Sequence, residues 1–105
     1  MAKGANGKGL NDVLKKLKAK FKPEKMILFG SRARGDYLKE SDYDLLLISS
    51  FFLKYNFRER LQLAYGSLSH PFPADIICLT PEEYERKRHE IGIINIAAKE
   101  GIKVG

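Results

Sequence analysis

The chain has 105 residues, of which 44% are hydrophobic and 30% are charged, with 19 Lys and Arg against 13 Asp and Glu. This length allows one domain, and the composition excludes a disordered chain. No apolar run approaches the roughly 20 residues of a membrane-spanning helix, and the single cysteine cannot form a disulfide within the chain. These properties predict a single cytoplasmic domain without a membrane partner.

The formal charge of +6 is concentrated at the amino end. Residues 1–25 contain eight lysines and two acids and therefore carry the whole +6, while residues 26–105 are neutral on balance. Residues 1–9 are rich in Gly, Lys and Ala and lack the apolar stretch of a signal peptide. They predict a flexible amino-terminal tail before a domain that covers 10–105.

The first half of the chain predicts a helix followed by two strands. Apolar residues at positions 10, 13, 14, 17 and 21 have helical spacing on a Lys-rich surface, and Pro23 ends this helix. Residues 25–29 predict a short buried strand, and 31–41 predict a helical turn and a loop. The strongest strand pattern covers 42–49.

The second half predicts two helical regions and two further strands. Phe57 begins an apolar helix face behind Asn56, a candidate N-cap. Thr80 caps the last helical region, in which Tyr84 opens a stretch that predicts a solvated helix face. Cys78 lies within an apolar strand and is expected in the core. The elements are a helix over 56–69, a strand over 74–79, a helix over 81–100 with a break near residue 92, and an edge strand over 102–104.

The alternation of these elements predicts an α/β (α+β) fold, in which helices pack on one small mixed β-sheet. We see neither an internal repeat nor a composition shift typical of a domain boundary in the sequence.

Acidic residues on two predicted strands point to chemistry. Asp42 and Asp44 are two residues apart, so both carboxylates leave the same face of the strand. They repel each other unless a cation lies between them, and Mg²⁺ prefers carboxylate and phosphate oxygens. Asp75 lies among apolar residues of the next strand, where an acid is costly unless it is paired or binds metal. If the two strands are neighbours, Asp75 faces the same metal ions.

A glycine and a serine follow the strand over 25–29. Gly30 permits close approach of the backbone, and Ser31 adds a hydroxyl beside free backbone N–H groups, an arrangement that favours a phosphate. Alone, a Gly-Ser turn or an Asp-x-Asp strand is common. Together with the third acid they form the parts of a phosphoryl- or nucleotidyl-transfer site. Asp36 and Glu40, in the loop between the strands, are weaker candidates.

Two motifs carry a resemblance to a known family. The sequences GSRARG at 30–35 and SDYDL at 41–45 resemble the signature of the minimal nucleotidyltransferases, within the polymerase-beta-like nucleotidyltransferase superfamily. The resemblance runs from the strand at Met26 to Val104, and it implies the nucleotidyltransferase fold. Tyr43 stands where a small aliphatic residue is usual and is expected to point away from the carboxylates. The Lys-rich amino end is not part of the signature.

The resemblance implies catalytic roles for the three aspartates. Asp42 and Asp44 would hold two Mg²⁺ ions, and Asp75 would ligate one of them and help to deprotonate the attacking hydroxyl. The reaction would be in-line attack of a hydroxyl on the α-phosphate of a nucleoside triphosphate, with release of pyrophosphate.

The resemblance also implies a nucleotide-binding segment. Gly30 and Ser31 would hold the outer phosphates of ATP or another nucleoside triphosphate. Arg32 and Arg34 either contact phosphates or serve, at least one of them, as structural partners of acids in the same loop.

The small size of the chain bears on the acceptor of the transferred group. We expect the 105 residues to form the catalytic core alone, without an acceptor domain. Such proteins resemble one half of a pair whose other half is a small helical HEPN protein, often a ribonuclease toxin. The resemblance therefore implies an antitoxin that transfers AMP to a partner hydroxyl. A non-catalytic nucleotide- or partner-binding subunit is the alternative, and nucleic-acid binding through the Leu10–Lys22 helix is a weaker one. A homo-oligomer stays open.

Overall fold

A computed structural model describes residues 9–30, 43–68 and 72–105. The elements in these ranges are helix α1 (Leu10–Phe21), strand β1 (Lys25–Phe29), strand β2 (Tyr43–Ile48), a 3₁₀ helix (Ser50–Lys54), helix α2 (Phe57–Gly66), strand β3 (Ala74–Leu79), helix α3 (Pro81–Lys87), helix α4 (Ile93–Glu100) and strand β4 (Ile102–Lys103). Within these ranges the predicted order and the break near residue 92 are confirmed, whereas the 3₁₀ helix was not predicted. None of the helices in these ranges is long and apolar enough to cross a bilayer.

The described strands form one mixed sheet in the order β3-β2-β1-β4. Strand β1 pairs antiparallel with β2 and with β4, and β2 runs parallel to β3. The predicted α/β (α+β) fold class is confirmed. The register places Phe29 of β1 opposite Asp44 of β2, and Asp44 opposite Asp75 of β3.

Each face of the sheet carries its own core, because side chains alternate between the two faces along every strand. One face packs against α1, whose apolar stripe is buried as its spacing predicted. The other face packs against α3 and α4. Tyr84 of α3 belongs to this second core and is 6% exposed, so the predicted solvated face is wrong at that residue. The buried members of the second core are Ile27, Phe29, Leu46, Ile48, Leu79, Tyr84, Ile94 and Ala97.

Two helices begin at reciprocal caps. The Asn56 side chain accepts a hydrogen bond from the backbone N–H of Glu59, whose carboxylate accepts one from the Asn56 N–H. Thr80 and Glu83 form the same arrangement at the start of α3. Each cap satisfies backbone donors that the first turn of a helix leaves unpaired, and both predicted N-caps are confirmed.

The outer edge of β3 is covered by side chains of α2. The Tyr65 hydroxyl donates to the carbonyl oxygen of Ala74 and accepts from the N–H of Ile76, both at 2.9 Å. The Arg60 guanidinium donates to the carbonyl oxygen of Cys78 at 3.3 Å. These contacts occupy backbone groups that an exposed edge strand would otherwise offer to another chain.

Candidate active site

The two described carboxylates of the predicted site lie side by side. Asp44 and Asp75 are each the second residue of a strand, and they are register partners across the parallel pair of β2 and β3. Their side chains therefore leave the same face of the sheet, from strands about 4.8 Å apart. Asp44 is half-buried and Asp75 is exposed. The strand adjacency on which the sequence argument depended is present.

Gly30 ends β1 directly against one of these carboxylates. Its φ of 78° lies in the left-handed region that glycine adopts without steric cost. A Cβ atom at this position would overlap the Oδ2 atom of Asp44. The absence of a side chain therefore lets the backbone lie beside the carboxylate, which is the close approach that the sequence suggested. A role for Gly30 in phosphate binding stays a prediction.

Four predicted site residues, Ser31, Arg32, Arg34 and Asp42, lie outside the described residues, as does the predicted turn and loop over 31–41. Within the described ranges, no group of three or more His, Cys, Asp and Glu side chains is arranged to hold a metal ion. Asp44 and Asp75 nevertheless supply carboxylate oxygens on one face, and this donor chemistry fits Mg²⁺. Asp42, which directly precedes β2 in the sequence, is the predicted third donor.

Tyr43, which stands where the motif usually has a small aliphatic residue, does not disturb the carboxylate face of the sheet. The side chain is 4% exposed and packs in the core on the opposite face from Asp44. Its ring stacks on Phe72, with ring centroids 5.2 Å apart and planes at 17°. The expected orientation of Tyr43, away from the carboxylates, is confirmed.

A cleft of about 470 Å³ lies on the carboxylate face, farther along β3. Its floor includes Ile77 and Leu79, which alternate with buried residues of the opposite face and so share the face of Asp75. The remaining lining comes from the amino end of α2, from α3 and from the amino end of α4. These residues are Asn56, Phe57, Arg60, Glu83, Lys87, Ile93 and Ile94.

An ion pair between two helices forms part of the lining of this cleft. Arg60 Nη1 of α2 lies 2.6 Å from Glu83 Oε1 of α3, and Arg60 Nε donates to the carbonyl oxygen of Tyr55 at 2.9 Å. Burial acts to raise the pKa of Glu83, but hydrogen bonds from Arg60 and Thr80 and the charge of Arg60 outweigh it and hold that pKa below its ordinary value.

This ion pair was not predicted from the sequence. Its signal was an arginine at helical spacing between apolar Phe57 and Ala64. Arg60 is in fact buried with Ala64, whereas Phe57, expected on the apolar face, is 59% exposed.

Cys78 takes no part in the site. The thiol is fully buried in the core on the opposite face, as predicted. Burial raises its pKa to about 12, and the opposing effect of the Arg60 charge is smaller. The thiolate that nucleophilic chemistry needs is therefore scarce at neutral pH.

The amino-acid sequence places the chain among nucleotidyltransferases. The nucleotidyltransferase domain family matches residues 10–104. A Methanocaldococcus jannaschii protein provisionally named a protein adenylyltransferase is 40% identical over a 63-residue alignment that covers 56% of this chain and 63% of that protein. The match thus spans less than two thirds of the relative's length.

Solved structures share the fold. A crystal structure from Sulfolobus solfataricus, provisionally named a nucleotidyltransferase, superposes with a TM-score of 0.62 and 26% identity over 88% of this chain and 72% of that one. The BolA domain of the SufE1 protein of Arabidopsis thaliana has a TM-score of 0.58 and 21% identity over 75% and 99%, a likeness of fold alone. With 10–104 matched by the family and with Asp44 and Asp75 on adjacent strands, the chain belongs to the nucleotidyltransferase domain family, of the minimal, polymerase-beta-like type.

Proposed function

We propose that this nucleotidyltransferase moves AMP from ATP to a hydroxyl group of a partner protein, with Mg²⁺. The observation that carries the proposal is the pairing of Asp44 with Asp75 on one face of the sheet, beside the backbone of Gly30. Family membership supports nucleotidyl transfer, and the name of the Methanocaldococcus relative supports adenylylation of protein.

In the proposed site, three aspartates act on the reacting groups. Asp42, Asp44 and Asp75 would hold two Mg²⁺ ions, and these ions would supply positive charge for the α-phosphate and for the entering and leaving oxygens. Asp75 also takes the proton of the acceptor hydroxyl. The hydroxyl oxygen forms a bond to the α-phosphorus, and the bond from that phosphorus to the bridging oxygen of the β-phosphate breaks. Pyrophosphate leaves with the electron pair.

The order of the strands gives this site a direction. Gly30 follows β1, Asp44 lies on β2 and Asp75 lies on β3. In our proposal the outer phosphates lie on the β1 side, where Ser31 and the Gly30 backbone would hold them and Arg32 would neutralise part of their charge. The acceptor hydroxyl approaches on the β3 side, beside its proton acceptor.

The test uses purified protein, Mg²⁺ and ATP labelled on the α-phosphate, together with the product of the neighbouring gene. We expect label on that product, and a transfer rate more than about 100-fold lower for Asp44→Asn and for Asp75→Asn. Mutation of a residue that only hydrogen-bonds to a metal ligand already lowers metal affinity or activity by about 10–100-fold, and a ligand itself should matter more. Asp12→Asn is the matched control, since Asp12 is an exposed acid of α1 on the opposite side of the sheet. Melting temperatures confirm that each variant is folded.

Equal labelling by wild type and Asp44→Asn would contradict the proposal. ATP binding by wild type without transfer to any acceptor would instead identify a non-catalytic nucleotide-binding subunit. The proposed partner is a small helical HEPN protein, with this chain as the antitoxin of the pair. A neighbouring product that is not helical, or whose activity is unchanged after labelling, would contradict that pairing.

A further inference from the structure

The cleft on the carboxylate face lies directly beyond the acceptor side of the proposed site. Ile77, the first floor residue, is two positions after Asp75 on the same face, which corresponds to roughly 7 Å along the strand. Strand β3 is the outermost strand on this side of the sheet, so the cleft lies on the side opposite Gly30, where the proposed function places the outer phosphates. A group seated in the cleft would therefore extend from the acceptor hydroxyl and not from the triphosphate.

Apolar side chains make up part of the cleft lining, and exposed apolar surface continues outside the cleft. Phe57 and Ile93 line the cleft and are 59% and 55% exposed, and Ile96, one turn along α4 from Ile93, is 49% exposed. A surface of several large exposed apolar side chains is typical of a protein-binding site. A nucleic-acid backbone would instead require a dense set of cations.

The charge of the cleft selects among polypeptides. Arg60 and Glu83 neutralise each other, and the Asn56 side chain accepts the capping hydrogen bond of α2. Lys87, half-buried at the rim, leaves the lining with one net positive charge. This arrangement complements a segment that carries an acidic residue beside its apolar ones.

The covered edge of β3 constrains how such a segment docks. Tyr65 and Arg60 already occupy backbone groups of Ala74, Ile76 and Cys78 at this edge. A segment that added itself as a further strand would have to displace both side chains. Docking through side chains that enter the cleft requires no such displacement.

We infer that the cleft between α2, α3 and α4 is the acceptor subsite of this enzyme. It takes an extended polypeptide in which an apolar side chain lies two residues from the modified hydroxyl, with an acidic residue next to it. This inference rests on the proposed function for the identity of the reaction, but binding in the cleft can be measured without turnover.

The test measures binding of fluorescein-labelled 12-residue peptides by anisotropy, in the presence of Mg²⁺ and a non-hydrolysable ATP analogue. One set has a central Ser, Thr or Tyr with Leu two residues away and Glu beside the Leu. Matched sets replace the Leu by Ser or the Glu by Lys. We expect at least tenfold tighter binding of the first set, and at least tenfold weaker binding of that set to Ile93→Asp.

Two control variants separate the cleft from the catalytic centre. Leu53→Asp changes a residue of the 3₁₀ helix that is 65% exposed and does not line the cleft, and it should leave peptide affinity within twofold. Asp75→Asn should also bind peptide, so a failure of catalysis is distinguishable from a failure of the subsite.

A third variant tests the charge preference of the cleft. Lys87→Glu should reverse the preference between Glu and Lys peptides.

The inference would be overturned by equal binding of all peptide sets, or by no binding up to about 1 mM. A weaker affinity of Ile93→Asp for the ATP analogue would place the nucleotide in the cleft and also overturn it. Transfer by wild type to an oligoribonucleotide 3′-hydroxyl but to none of the peptides would identify a nucleic-acid acceptor instead.

Discussion

At the scale of single residues, the site depends on the fit between Gly30 and Asp44. The backbone at Gly30 has a φ of 78°, and it lies where a Cβ atom would overlap the Asp44 carboxylate. Any side chain at this position therefore carries a steric cost for the left-handed backbone and a second cost for moving the carboxylate. We therefore expect Gly30 to act on catalysis by placing Asp44, in addition to any contact with phosphate.

Gly30→Ala is expected to lower the transfer rate by roughly 100-fold, because a displacement of about 1 Å in a reacting group can cost that much. The free energy of unfolding should fall by about 1–2 kcal/mol, from the left-handed backbone. Steady-state rates and urea denaturation measure the two effects. Gly66→Ala is the control: nothing lies within 4 Å of its Cβ position, so neither quantity should fall. An active Gly30→Ala enzyme would show that the carboxylate adapts.

At the scale of elements, Arg60 joins α2, β3 and α3. It donates to the Cys78 carbonyl of β3 and pairs with Glu83 of α3, which also caps its own helix at Thr80. The Arg60 side chain is 9% exposed and that of Glu83 is 29% exposed, so water screens the pair only partly. Removal of either partner leaves the other charge unpaired, and little solvent reaches it to take the place of the lost partner.

The pair predicts a pH dependence of stability. The pKa of Glu83 is held below its ordinary value of 4.5 in the folded protein, so its contribution is complete above that pH and is lost as the pH falls through the folded value. We expect Glu83→Gln to lower the free energy of unfolding by about 1–3 kcal/mol at pH 7, with a difference from wild type that narrows below pH 4.5.

Urea denaturation between pH 7 and pH 3 measures this difference. The pKa of Glu24 is also lowered, chiefly by a hydrogen bond from the Ser50 hydroxyl, so the variant must be compared with wild type at each pH. Glu82→Gln is the control, because Glu82 is exposed in the same first turn of α3. A gap between wild type and Glu83→Gln that stays constant down to pH 3 would contradict the assignment.

At the scale of the whole molecule, the sheet separates two charged regions. The lysines of α1 lie on a helix that packs on one face, whereas Asp44 and Asp75 leave the other. The net charge of +6 therefore does not describe the site. A BolA domain is similar in fold over 75% of this chain, so the site residues, and not the fold, carry the nucleotidyl-transfer prediction.

This separation predicts that the double variant Lys15→Glu/Lys20→Glu binds MgATP and transfers AMP within about twofold of wild type at 0.1 M salt. The exposed charges are screened over about 10 Å at that ionic strength, and the sheet lies between them and the carboxylates. Calorimetry and initial rates measure the two quantities. A large loss of MgATP affinity would show that α1 contributes to the site. If the wild-type protein binds nucleic acid and the double variant does not, that result would support the alternative of nucleic-acid binding through α1.

The sequence alone determined the order of the described α-helices and strands, but not the 3₁₀ helix, because the signals for those elements are local. The apolar spacing of α1, the caps at Asn56 and Thr80, and Pro23 all act over a few residues. It also determined the chemical types of the candidate site residues, since hard oxygen ligands and a glycine turn imply phosphate chemistry before any fold is known.

Only the tertiary structure decided which elements meet. The parallel pairing that sets Asp44 beside Asp75, the burial of Tyr84 and the cleft behind the Arg60–Glu83 pair each join residues far apart in the chain. Local spacing carries no information on such contacts, because sheet order and helix packing are set by the burial of two separate cores. The sequence could therefore name the acids of the site, while the fold decided which of them are neighbours and which surface continues from them.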